Sequence, residues 1–323
     1  MALHPAFLGH GVFCYEPAAL LKHYERYPRG FTRKGLFGLI AGALASRRPP
    51  EPEKGLAEAV KAMGFQHAWV RLYGHKEVMK EAELKHLAGV LRGANLHLAG
   101  WGYSHGDNWR EELEVAKHLS GAAGLNAFVA DIEPGRYFKK DPTNKSKWSE
   151  RDLDSFIGAL EGHFGRDSVA VSTWPVLKIQ NDAAHPSLQL MRHIAPRVGA
   201  FVPQAYWMSY PEDVHYKTTG FSEQDYPRDD PSSFARLAIA SWHKDGFTQP
   251  LILTGQAYWG EGKKPIPQIV VEKKLAIFVK TFPEWGKIAG LNWWHAGNPK
   301  AMSPAMVRTL TASRLDKKPF ARA

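Results

Sequence analysis

Residues 128–135 read Phe-Val-Ala-Asp-Ile-Glu-Pro-Gly, an apolar run that ends in two acidic residues and is then broken by proline and glycine. A short apolar run bounded by such a break is typical of a buried strand that leads into a loop. Side chains alternate along a strand, so Asp131 and Glu133 share one face, with Cβ atoms about 6–7 Å apart. The stretch therefore predicts a buried strand that presents two neighbouring carboxyl groups at its C-terminal end.

Comparable strands recur along the chain and alternate with segments of helical period, which indicates parallel βαβ units. We predict strands at Phe7–Tyr15, Gln66–Tyr73, Leu96–Tyr103, Ala127–Glu133, Ser168–Trp174, Ala200–Met208, Pro250–Ala257 and Ala289–His295. Helices are predicted at Gly55–Met63, Glu81–Leu91, Trp109–Leu119, Glu150–His163, Ser187–Ile194, Pro231–Lys244, Val270–Thr281 and Ser303–Ser313. Eight repeats without a Gly-rich nucleotide fingerprint favour a closed (β/α)8 TIM-type barrel over a doubly wound open sheet.

The sequence predicts a single domain over residues 1–323, because barrels of this kind reach such lengths as one unit. Residues 24–54 are interpreted as an insertion after strand one, since Pro49, Pro50 and Pro52 interrupt any regular element. The apolar part of this insertion, Gly35–Ala45, is shorter than the roughly 20 residues that cross a bilayer. We therefore expect no transmembrane segment. The apolar stretch is instead expected to form a helix packed on the barrel, a lid over the site or an element that rests on a membrane surface.

The charge balance favours anionic partners. The chain has 42 Lys and Arg against 32 Asp and Glu, a formal net charge of +10. The basic residues are scattered and no nucleic-acid-binding motif is present, so we expect no nucleic-acid partner. Cys14 is the one cysteine, which excludes an intramolecular disulfide. We also expect a monomer.

The predicted strand ends are rich in aromatic and amide side chains. In a barrel enzyme the active site lies at the C-terminal ends of the strands. Aromatic rings stack on sugar rings, while amides and phenols bond their hydroxyl groups, so this recurrence predicts a carbohydrate-binding groove. The candidate binding residues are Tyr73, Trp101, Tyr103, Trp174, Gln204, Tyr206, Trp207, Gln256, Tyr258, Asn292 and Trp294.

Asp131 and Glu133 are the candidate catalytic residues. One negative charge raises the pKa of a carboxyl group beside it. A carboxylic acid that stays protonated near neutral pH is what protonation of a leaving sugar oxygen requires. By contrast, no His-x-His, His-Glu-x-x-His or Gly-x-Ser-x-Gly motif is present, and Cys14 has no assignable base. We therefore expect neither a metal nor a cofactor.

The Asp131-Ile132-Glu133 motif at the end of strand four resembles that of family 25 lysozymes and, more weakly, of family 18 chitinases, both barrel glycoside hydrolases. In family 18 the motif carries three acidic positions before the immediate neighbour of the catalytic acid. At the corresponding place this chain keeps only the last Asp, which is Asp131, and the Glu, which is Glu133. The run Gln204–Trp207 is similar to the strand-six wall of both families, and Trp293-Trp294 stands where family 18 places a stacking Trp. The resemblance implies that Glu133 is the general acid and base and that Asp131 is its partner.

These features predict a glycosidase that acts on an N-acetylated amino-sugar polymer, with bacterial peptidoglycan favoured over chitin. No third acid stands at a placed strand end, so we predict a retaining reaction in which the substrate's own acetamido group is the nucleophile. The alternatives are a chitinase-like hydrolase, or a non-catalytic glycan-binding or phage structural protein on the same barrel. Because residues 1–16 predict no signal peptide, we expect a cytoplasmic protein or a phage-encoded one released to the cell wall, like an endolysin.

Overall fold

The computed structural model describes residues 2–25, 52–74, 77–104, 106–133, 148–182, 185–207, 211–259, 266–282, 288–297 and 300–320. Its centre is a ring of eight parallel strands: β1 (Gly9–Cys14), β2 (His67–Gly74), β3 (His97–Ser104), β4 (Phe128–Ile132), β5 (Val169–Thr173), β6 (Ala200–Pro203), β7 (Ile252–Gln256) and β8 (Gly290–Ala296). Strands β7, β8 and β1 to β6 pair in that order. Isolated parallel bridges from Phe201 to Leu251 and from Gln204 to Thr254 join β6 to β7. The predicted (β/α)8 barrel is confirmed.

Helices follow the strands in the alternation that the sequence predicts. They are α1 (Pro17–Glu25), α2 (Pro52–Ala62), α3 (Glu81–Gly93), α4 (Trp109–Ala123), α5 (Glu150–Phe164), α6 (Ser187–Ile194), α7 (Asp213–Thr219), α8 (Pro231–Lys244), α9 (Gln268–Thr281) and α10 (Pro304–Ser313). Capping stabilises their starts: Asp230 accepts from the Ser232 amide at 2.8 Å, and Ser303 accepts from the Met306 amide at 3.2 Å. Sequence analysis missed α1 and α7, which are short and lie between strands and longer helices.

Most of the predicted insertion falls outside the described residues, including the apolar segment Gly35–Ala45. The predicted strand-end residues Pro134, Gly135 and Met208 also lie outside them. Among the helices that the structure describes, none is both long and apolar enough to cross a bilayer.

The interior of the barrel is filled by side chains, as alternation along the strands requires. Phe13, Trp69 and Trp101 point inwards and are at most 2% exposed, opposite small residues such as Ala99 and Ala170. The ring of Phe13 packs edge-on against Trp69 with centroids 4.7 Å apart. Because this packing closes the middle of the barrel, a ligand site can form only at an end of the strands.

Strand β6 is shorter than the predicted Ala200–Met208 and ends at Pro203. The amide of Ala205 donates to the Pro203 carbonyl, and that of Tyr206 donates to the Gln204 carbonyl, each at 3.0 Å. These tight local bonds turn the chain out of the barrel. The turn decides where the side chains that follow are placed.

Candidate active site

A cavity of about 260 Å³ lies at the C-terminal ends of the barrel strands. Both predicted catalytic residues line it. The full lining is Tyr15, Arg71, Gly74, Glu77, Trp101, Tyr103, Asp131, Glu133, Gln204, Tyr206, Tyr258 and Trp294. The cavity therefore combines aromatic surface with ionisable groups at the end of the barrel where barrel enzymes carry their active sites.

The two carboxyl groups of strand β4 are buried side by side. Asp131 and Glu133 are each 6% exposed. The side-chain amide of Gln204 donates to Asp131 Oδ1 at 2.9 Å and to Ser172 Oγ at 3.1 Å. Glu133 Oε2 is buried and has no hydrogen-bond partner among the described residues. An orphaned buried carboxyl oxygen is costly, so it calls for a functional explanation.

Burial changes the protonation of this pair. Loss of hydration raises the pKa of Asp131 to about 7, against the opposing hydrogen bonds from Ser172 and Gln204. Loss of hydration, and then the charge of Asp131, raise the pKa of Glu133 well above its usual value. Hydrogen bonding by Gln204 lowers both pKa values, whereas the neighbouring charge is a raising cause for Glu133 alone, so we assign to Glu133 the proton that the pair retains near neutral pH. This arrangement supplies a carboxylic acid beside a carboxylate.

Aromatic side chains form the floor and walls of the cavity. The indoles of Trp101 and Trp294 pack edge-on with centroids 5.4 Å apart, and Trp101 Nε1 donates to the Cys14 carbonyl at 3.2 Å. On the opposite wall, Tyr206 and Tyr258 pack edge-on at 5.6 Å. Trp294 and both tyrosines are half-buried, which leaves ring surface open to a ligand.

Six of the eleven predicted binding residues line this cavity: Trp101, Tyr103, Gln204, Tyr206, Tyr258 and Trp294. A seventh, Trp174, lines an adjoining cavity of about 320 Å³ that shares Gln204 and Tyr206 with the first. The two cavities are therefore neighbours at the same end of the barrel.

The structure places Tyr73, a predicted binding residue, in the core and away from the cavity lining. It is 2% exposed and belongs to the helix-facing cluster outside the barrel, where its hydroxyl bonds Ser104 Oγ at 2.9 Å. The pairing of β2 with β3 shifts register between Arg71 and Tyr73, which reverses the face on which Tyr73 would otherwise lie. A Cβ atom on Gly102 would lie 2.2 Å from the Tyr73 ring, so this packing requires glycine there.

Trp207 is also a core residue. It is fully buried and stacks on Phe278 of α9 at 4.1 Å between ring centroids. The turn after Pro203 sends Tyr206 into the cavity and Trp207 outward beneath the helices. Gly255 provides the space, because a Cβ atom there would lie 2.7 Å from the Trp207 ring.

The remaining two predicted binding residues, Asn292 and Gln256, do not line the cavity. Asn292 is fully buried inside the barrel, in register with Gly11 and Thr254. Gln256 is 4% exposed, and its amide donates to the Tyr258 carbonyl at 3.5 Å. Asn292 lies two residues before the cavity-lining Trp294 and is therefore too deep, whereas Gln256 is in register with Trp294 but is buried.

Four lining residues are not among the predicted binding residues: Tyr15 and Arg71, which stand at predicted strand ends, and Gly74 and Glu77. Alternation inward from Trp69 could have identified Arg71, which is 3% exposed. No pattern indicated Glu77, because it lies on a two-residue strand, Glu77–Val78, that folds back antiparallel to β2. Its carboxylate pairs with Arg71 Nη2. Among the described residues, no group of three or more His, Cys, Asp or Glu side chains is placed to hold a metal ion.

The contrast between Trp294 and Trp207 yields a prediction. Trp294→Ala should weaken glycan binding by about 1–3 kcal/mol, since a half-exposed ring that can stack is lost. Trp207→Ala should lower the free energy of unfolding by about 3–5 kcal/mol, since it leaves a cavity in the core. Urea unfolding and binding to insoluble glycan measure the two effects. A Trp207→Ala protein of unchanged stability would contradict the placement of this ring.

The buried pair should destabilise the fold in a pH-dependent way. Asp131 has a pKa of about 7 in the folded protein and about 3.9 when unfolded. The unfolded chain therefore releases this proton first, so stability falls as the pH rises from about 4 to about 7. Asp131→Asn should raise the free energy of unfolding by about 2–4 kcal/mol at pH 8. A much smaller gain is expected at pH 4, where the folded protein is protonated and the unfolded chain is only about half ionised, and an equal gain at both pH values would argue against this raised pKa.

Comparisons with known proteins give structural likenesses only. No family model matches the chain, and no curated protein matches it in sequence. The structure is similar to solved barrels of low sequence identity.

One is a GH5_18 protein from Streptomyces cattleya in complex with GlcNAc, with a TM-score of 0.58 and 10% identity over 100% of this chain and 83% of that one. Another is a GH18 chitinase from Cycas revoluta in complex with (GlcNAc)3, with a TM-score of 0.54 and 11% identity over 94% and 99%. A third is the spore cortex-lytic enzyme SleL of Bacillus megaterium, with a TM-score of 0.54 and 11% identity over 98% and 75%. What this chain shares with the three is the (β/α)8 barrel.

Proposed function

We propose that the protein is a glycoside hydrolase that cleaves an N-acetylated amino-sugar polymer. The observation that carries the proposal is the buried Asp131–Glu133 pair in a pocket walled by aromatic rings. Burial keeps a proton on Glu133 near neutral pH, and the unpartnered Oε2 of this residue is free to engage a substrate oxygen. Glu133 is thus suited to act as general acid and then as general base.

In the first step the acetamido oxygen of the substrate attacks the anomeric carbon of its own sugar. Glu133 gives its proton to the glycosidic oxygen, and the bond from that oxygen to the anomeric carbon breaks. Positive charge develops on the acetamido group as the ring closes. Ionised Asp131, held by Gln204 at 2.9 Å, orients the amide and stabilises this charge.

In the second step water attacks the anomeric carbon from the side that the leaving group vacated. Glu133, now a carboxylate, takes a proton from that water, and the acetamido group is released intact. The configuration at the anomeric carbon is retained after two displacements.

A protein nucleophile fits the described site less well. Asp131 and Glu133 lie on one strand face and do not flank a bond. The other carboxylate among the described lining residues, Glu77, is engaged by Arg71. These placements favour the substrate's own acetamido group.

The substrate we favour is the glycan of bacterial cell wall, ahead of chitin. The solved barrels similar to this one include complexes with GlcNAc and (GlcNAc)3 and a spore cortex-lytic enzyme. The net charge of +10 suits an anionic polymer such as the wall. Acting as a lysis enzyme, the protein would reach the wall from the cytoplasm after release through a membrane lesion.

The proposal is tested by incubating the purified protein with peptidoglycan and with chitin and assaying new reducing ends. Mass spectrometry of the products identifies the bond. New reducing ends at N-acetylated sugars, absent with Glu133→Gln, are expected. A protein that binds either polymer but generates no reducing ends over a range of pH would instead be the non-catalytic glycan-binding form of this barrel.

A further inference from the structure

We propose that Arg71 binds a carboxylate carried by the glycan, so that the pocket selects an acidic amino-sugar polymer over a neutral one. This inference rests on the proposed function, since it names the substrate class of the same pocket. Arg71 is the one cation among the described residues that line the cavity. Its guanidinium lies over the ring of Tyr15, 4.5 Å from the centroid, which fixes its plane.

The partnering of Arg71 is incomplete. Its side chain is 3% exposed, and burial of a charge is costly unless the charge is paired and its donors are satisfied. Nη2 donates to one oxygen of Glu77, whereas Nε is buried and has no partner among the described residues. The guanidinium thus retains unused donor capacity inside the cavity.

The free donor lies on the edge of the guanidinium that suits a carboxylate. Nε and Nη2 form one side of the planar group, and a carboxylate can bond both atoms at once. Gly74 stands beside this edge, and a Cβ atom there would lie 3.5 Å from Nε and 4.0 Å from Nη2. Both residues line the cavity, and glycine contributes no side chain that would pack over this edge.

The carboxylate of Glu77 occupies a position beside Arg71 that a ligand carboxylate could take instead. The side chain of Glu77 is 74% exposed, so water competes for it and a ligand can take its place at the buried guanidinium. A ligand carboxylate that displaces it preserves the charge balance around Arg71 and adds the bond to Nε. A neutral amino sugar offers hydroxyl and acetamido oxygens, which accept hydrogen bonds but carry no charge to compensate the guanidinium.

The test measures binding without turnover, in the Glu133→Gln background. Calorimetry compares three tetrasaccharides of equal length: chitotetraose, alternating GlcNAc and N-acetylmuramic acid, and alternating GlcNAc and glucuronic acid. We expect at least one acidic tetrasaccharide to bind about tenfold or more tightly than chitotetraose, as a charge-assisted bond to a buried cation allows. The lactyl and uronate arms distinguish the two sources of the carboxylate.

Variants assign this preference to the proposed edge. Arg71→Gln should bring the ratio of the dissociation constants close to one, and Arg71→Lys should retain only part of it. Gly74→Ala should lower the ratio by covering the edge while every charge is kept. Glu77→Gln, which removes the competing carboxylate at nearly constant shape, should raise the ratio a few-fold. Thermal unfolding verifies that each variant is folded, and Gly74→Ala keeps the test valid if Arg71→Gln does not fold.

Two results would overturn the inference: equal affinity for all three tetrasaccharides, or a preference that neither Arg71→Gln nor Gly74→Ala changes. Hydrolysis is assayed separately with the unmodified protein. A selective protein that hydrolyses nothing would contradict the proposed function and support the role of Arg71. A protein that hydrolyses the glycan without selecting acidic oligosaccharides would support the proposed function and contradict the role of Arg71.

Discussion

Glu133→Gln is expected to abolish nearly all turnover, by about 10⁴-fold, while glycan binding is retained. Glutamine preserves the shape of the side chain but cannot donate a proton to the glycosidic oxygen or take one from water. Because Glu133 is only 6% exposed, water from bulk solvent cannot easily replace it as proton donor. Initial rates of reducing-end formation and calorimetric binding of the same oligosaccharide measure the two effects.

Asp131→Asn is the matched control on the same strand. It leaves the carboxyl group of Glu133 in place but removes the charge that stabilises the acetamido group and that helps to raise the pKa of Glu133, so we expect turnover to fall by about 10²–10³-fold. A Glu133→Gln protein with near-normal rates would contradict the assignment of the general acid. Activity would then have to be sought from the loop residues 209–228, where Glu212 lines the cavity that adjoins the first.

Removal of the acetamido group from the substrate should have an equally large effect. An intramolecular nucleophile held next to the anomeric carbon is worth many orders of magnitude in rate, so a de-N-acetylated or plain glucoside oligosaccharide should be cleaved at least about 10⁴-fold more slowly. The comparison uses kcat for chitotetraose and for its de-N-acetylated and glucose counterparts of equal length.

Binding provides the control for this comparison, because the aromatic walls stack on any pyranose ring. The Glu133→Gln protein should still bind the glucose oligosaccharide, although more weakly. Efficient hydrolysis of a glucoside polymer would rule out participation of the substrate and would make Glu77 the first protein nucleophile to test by substitution.

The barrel could be predicted because each strand carries its own pattern of burial. All eight strands and the eight predicted helices are present, with bounds that mostly differ by one to three residues. The larger error, at β6, arose because the aromatic run after Pro203 looks like a continuing strand. The strand ends there because of local hydrogen bonds within the turn, which the hydrophobic pattern of the sequence does not indicate.

The site was predicted less completely, for reasons of register. Alternation alone placed Asp131 and Glu133 together because they lie at the end of one regular strand. It misassigned Tyr73, where a register shift in β2 reverses the faces. It could not find Glu77, since contact with Arg71 depends on a short return of the chain rather than on spacing. The glycines beside Tyr73 and Trp207 were the available signals that these rings pack in the core between the barrel and the helices.

The stereochemistry of the reaction tests the central claim most directly. Proton NMR during hydrolysis of a defined N-acetylated oligosaccharide identifies the anomer that is formed first, before mutarotation mixes the two. The account predicts retention, because the acetamido group and then water displace in succession at one carbon while Glu133 acts as acid and then as base. A first product of inverted configuration would contradict it, since inversion requires a water activated directly by a protein base on the opposite face of the sugar.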